Sequence, residues 1–97
     1  MNSNQIVTAA LQSNPNTLSM LNITGKLASL ETAVTDTITV LTNGIKNGKV
    51  TIEEAQDMTK EGFYTMLKKQ NVDKSLLHQN AISEICRMIS NTLQWVK

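Results

Sequence analysis

Apolar residues recur along this chain three and four positions apart, the period of one face of an α-helix. Ile6, Val7, Ala10 and Leu11 form a first short face, which predicts a helix over residues 3–13 capped by Ser3 or Asn4. Asn14-Pro15-Asn16 interrupts it, because Pro15 disfavours a helical conformation at Asn14. Thr17 is placed to cap the next helix. From there Met20, Ile23, Leu27, Leu30, Val34, Ile38, Leu41 and Ile45 keep one continuous stripe. The stripe predicts a single helix over about 17–46, roughly 40 Å long at 1.5 Å per residue.

The sharpest local signal follows at residues 47–55, Asn-Gly-Lys-Val-Thr-Ile-Glu-Glu-Ala. Asn47-Gly48 suits a helix C-terminus, since glycine accepts the left-handed backbone that ends helices. Thr51 with Glu54 three residues on is a capping box. A third helix over about 52–70 buries Ile52, Ala55, Met58, Phe63, Met66 and Leu67, with Gly62 as a kink or a point of close backbone approach. Asn71 suits a left-handed cap, and Asp73 or Ser75 opens a last helix over 74–96. Its apolar face is Leu77, Ala81, Ile82, Ile85, Ile89, Leu93 and Val96. The fold class expected is all-α: an antiparallel helical bundle of three main helices plus a short N-terminal one, in a single domain over 1–97. The alternative is an α+β chain with a β-hairpin over 36–53. Thr37-Ile38-Thr39-Val40 and Lys49-Val50-Thr51-Ile52 alternate with period two, with Asn-Gly pairs between them. The unbroken helical stripe and the capping box weigh against it, as does the marginal stability of two isolated strands.

Composition changes this picture in two places. The only aromatics are Phe63, Tyr64 and Trp95, so the core is aliphatic. Charge is lopsided: residues 1–45 carry only Lys26, Glu31 and Asp36, and the other 14 charged side chains lie beyond. Threonine fills much of the gap, at positions 17, 24, 32, 35, 37, 39 and 42. Such a stretch is either a solvated threonine face or a surface meant to be covered, since interface cores are depleted in charge. A formal charge of +1 gives no field toward nucleic acid or anionic lipid. No apolar run is long enough to span a bilayer. A single cysteine, Cys86, fits a reducing compartment, and no signal-peptide pattern opens the chain. The location expected is cytoplasmic.

Candidate chemistry is thin. Aligning Gly48 with the glycine of a calcium loop puts Asn43, Ile45 and Asn47 at the first ligand positions and Glu54 at the last. Ile45 has no oxygen and no carboxylate precedes the glycine, so no metal is expected. Residues 51–69 resemble the start of a helix-turn-helix, with 58–62 as the turn. The lysines there alternate with acids, and Arg87 is the only arginine. His78 and Cys86 are eight residues apart, about 160° around an ideal helix, which bars a Cys–His pair within one helix. Catalytic residues and cofactors are expected to be absent. The function expected is a non-enzymatic interaction or assembly protein acting as a homo-oligomer, of the kind found as phage, plasmid or secretion accessory proteins. A small DNA-binding regulator is the alternative. The partner is another copy or another protein, with nucleic acid, membrane and small-molecule substrates disfavoured. Leu27, Leu30, Val34, Ile38 and Leu41 are the expected shared core, and Trp95, off the main stripe, is an expected contact or an end-plug of the bundle.

Overall fold

Helix ends, more than helix faces, decide how this chain is folded. The structure is a computed structural model that describes residues 2–96. In it the chain forms α1 (Ser3–Gln12), α2 (Pro15–Thr24), α3 (Leu27–Lys46), α4 (Ile52–Asp57), α5 (Thr59–Lys69), a 3-10 turn (Lys74–Leu76) and α6 (Gln79–Leu93). No strand occurs among the described residues, so the fold is all-α and the hairpin over 36–53 is not formed.

α1 starts on a capping box one residue earlier than expected. Asn2 Oδ1 accepts the Gln5 N–H and Gln5 Oε1 accepts the Asn2 N–H, both at 2.9 Å. Pro15 occupies the first turn of α2, where its missing N–H costs nothing. Thr17 is therefore inside the helix and not its cap.

The single helix expected over 17–46 is two helices. Gly25 takes φ +69°, its N–H donates to Asn22 O at 3.3 Å, and the Lys26 N–H donates to Leu21 O at 2.9 Å. These paired bonds are a Schellman stop. The turn redirects α2, so Leu21 is buried while Met20 and Ile23 face water.

The stop at 47–50 forms as the sequence indicates. Gly48 takes φ +71°, with Gly48 N–H to Ile45 O at 3.1 Å and Lys49 N–H to Gly44 O at 2.9 Å. Thr51 Oγ1 then accepts the Glu54 N–H at 3.0 Å, and Glu54 Oε1 accepts the Thr51 N–H at 2.9 Å. The expected 52–70 helix breaks at Met58, whose N–H is shared between the Glu54 and Ala55 carbonyls. Met58 is exposed there instead of buried. Gly62 does not mark the break. It lies within α5 against α3, where an added Cβ would sit 3.7 Å from Thr37 Cγ2.

A third stop uses Asn71 at φ +56°, with the Val72 N–H on Leu67 O at 2.9 Å. Val72 folds back into the core beside Leu67. Asp73 caps only the 3-10 turn, through the Ser75 N–H at 2.9 Å, and α6 starts five residues later than expected on His78. The core joins all six helices: α3 packs against α1, α5 and α6, and the Gln56 amide of α4 donates to Ser90 O of α6 at 2.9 Å. No buried side-chain polar atom among the described residues lacks a partner.

Candidate functional site

The expected shared-core residues sit mostly inside one chain. Leu30 and Val34 have no exposed area and Leu41 is buried, while Leu27 and Ile38 are half-buried against the same core. Leu30, Val34 and Leu41 are thus covered within one chain. α1, α5 and α6 cover them, because splitting the long helix at Gly25 shortens the face that needs cover.

What faces water is a different apolar set: Met20 (43 % exposed), Ile23 (80 %), Val40 (53 %), Met58 (44 %) and Trp95 (82 %). Trp95 stands just beyond the end of α6 and does not plug the bundle. Arg87, Met88, Asn91 and Thr92 line a shallow cavity with it. Val40 and Met58 flank a groove of about 600 Å³ between α3 and α5, floored by Leu41, Gly62 and Met66 and edged by Glu61, Tyr64 and Thr65. Sequence periodicity does not reveal it, since Val40 lies off the stripe and Met58 reads as part of a buried face. The signal that was legible is the apolar pair at 40–41, which faces two sides of one helix.

The threonines of α2 and α3 are largely self-satisfied. Thr24, Thr32, Thr35 and Thr37 donate to the carbonyls four residues back, at 2.7–3.1 Å. Thr35 also reaches Ser3 Oγ on α1. Thr37 is buried and Thr32 and Thr35 are exposed, so the threonine run is no uniform face.

A polar junction ties α1 and α2 to the start of α6. Buried Asn14 donates to Ala10 O at 2.8 Å and accepts from the Asn80 amide at 3.3 Å. Thr17 Oγ1 accepts the His78 N–H at 3.1 Å, and His78 Nδ1 accepts the Asn80 N–H at 3.1 Å. These groups are spent on each other and on helix caps, which makes the junction a structural clasp.

The remaining candidates for chemistry stand apart from one another. The Glu54 carboxylate serves as a cap and Asn43 to Gly48 end a helix, so the calcium-loop alignment describes no ligand cage. No cluster of three or more metal-ligating side chains of His, Cys, Asp or Glu occurs among the described residues. Cys86 is half-buried in α6, and burial pushes its thiol up to about 11 despite the nearby Lys60 charge. It is a protonated thiol at neutral pH, a poor nucleophile. The Asp73 carboxyl is held below its usual value by the Ser75 N–H and hydroxyl. Tyr64 carries the Lys74 ammonium 5.0 Å and the Lys60 ammonium 5.9 Å from its ring centre. The segment expected as a helix-turn-helix turn, 58–62, is a one-residue break followed by continuous helix. No described helix is long and apolar enough to cross a membrane. Compared with known proteins, the chain matches no family model, no curated protein and no solved structure.

Proposed function

We propose that this protein is a non-enzymatic interaction protein that works by binding further copies of itself. The observation that carries the reading is the exposed apolar set, above all Trp95 and the Val40–Met58 groove, on a molecule whose core is already complete. Scattered surface hydrophobes are ordinary, but an exposed tryptophan together with an apolar groove marks a contact surface. Glu54, Asp73 and His78 are engaged in caps and in the clasp. Sedimentation equilibrium from micromolar to high-micromolar concentration tests the reading. A mass above the monomer that rises with concentration is expected, and a constant monomer mass would refute it.

A further inference from the structure

We infer that the surface joining two copies consists of Trp95 of one molecule seated in the α3/α5 groove of the next. This rests on the self-association reading and names its contact. Trp95 offers an indole that its own chain leaves almost wholly in water. The groove offers what an indole lacks: an apolar floor of Leu41 and Met66 and walls of Val40 and Met58. Two of these are methionines, whose thioethers pack well against aromatic rings and adapt to their shape. An aromatic side chain that fills an apolar pocket is the usual centre of a contact of this kind.

One charge pair suits the same pairing. Arg87, the chain's single arginine, lines the same cavity as Trp95. Glu61 stands at the groove's edge. An indole entering the groove brings an Arg87 guanidinium toward a carboxylate. The Lys60 and Lys74 ammonium groups meanwhile lie near the ring of Tyr64, at the groove's other edge. Knob and groove are different patches of one chain. The contact is isologous where two copies exchange knobs reciprocally, and heterologous where it repeats head to tail. In both cases each indole occupies a neighbour's groove.

Trp95 is the only tryptophan, so its fluorescence reports the contact directly. The emission maximum of the wild-type chain is followed with concentration, alongside acrylamide quenching and sedimentation. Emission that shifts to the blue and loses quencher access as mass rises is expected. V40K keeps the reporter and charges the groove wall at an exposed position. Its emission should stay red and its dissociation constant should rise by at least about tenfold. W95A should weaken association by about thirtyfold, the scale of a central aromatic contact. E61R and R87E should each weaken it by about fivefold, and the double exchange should recover most of the loss. A chain that associates while its indole stays solvent-exposed overturns the groove assignment and leaves self-association standing. Absence of any association removes both. A blue shift on adding an unrelated protein but none with concentration would assign the indole to a different partner and overturn the second copy's groove as its seat.

Discussion

The two faces of α3 show how differently one helix can spend its apolar residues. The inner face, with Leu30, Val34 and Leu41, is sealed by the rest of the chain. The outer positions hold threonine and Val40, and Val40 opens onto a groove. Periodicity marks the inner face strongly and the outer one hardly at all. The strong signal builds the monomer, and the weak one lies where a contact with a second molecule is proposed. Apolar patterning thus reports cover wherever the chain can supply it, and it cannot say that the chain does so alone.

Substitutions on the two faces should therefore separate folding from association. The largest effect belongs to V34E, which places a carboxylate in a site with no exposed area and no partner. A loss on the order of 3–5 kcal/mol is expected, enough to unfold much of a marginally stable domain. Circular dichroism at 25 °C should show the helix signal falling, and a native thermal transition would break the contrast between the faces. L30A follows, with a cavity cost of about 2–5 kcal/mol and retained helix content. A denaturant melt with the wild-type midpoint would mean that Leu30 is not the packed residue its burial indicates.

Between these and the outer face lie the helix stops. G25A and G48A both force alanine into a left-handed backbone, at φ +69° and +71°, with open space around each. Each should cost about 1 kcal/mol. Equal losses in the melts would show that the two turns are equally real. A neutral G25A would restore the single long helix over 17–46.

The thiol gives a pH-dependent test with a defined sign. The Cys86 pKa rises on folding from an ordinary 9.0 to about 11, because burial disfavours the thiolate. The folded state holds its proton more tightly, so the contribution is complete below pH 9 and is lost as pH rises through about 11. The wild-type melting temperature should fall over that window by more than that of C86S. Identical profiles would place the thiol in water.

Much of this fold was legible in the sequence, and the misses have physical causes. Asn47-Gly48, Thr51 with Glu54, and Asn71 were readable because their stops and caps are made from residues adjacent in sequence. Gly25 was masked because Ile23 and Leu27 are four apart, so the stripe keeps its period across a turn that changes its direction. Met58 was misplaced for a related reason: its N–H is satisfied from two carbonyls and the helical spacing nearly survives the break. The late start of α6 depends on His78 bonding across 61 residues to Thr17, a partnership that local patterning does not carry. Of the candidate contact, Trp95 was visible by type and position. The groove was not, because it needs α3 and α5 side by side with Gly62 between them.

Val40→Lys is expected to have the smallest effect on folding, within about 0.5 kcal/mol at an exposed helix position. That makes it the cleanest probe of the central claim that folding and association use different side chains of α3, the buried stripe and the exposed Val40 beside it. Sedimentation equilibrium on the wild type and V40K, both confirmed as fully helical, should give an assembly for the first and the monomer mass for the second. Equal masses for the two, whether monomer or oligomer, would contradict the account.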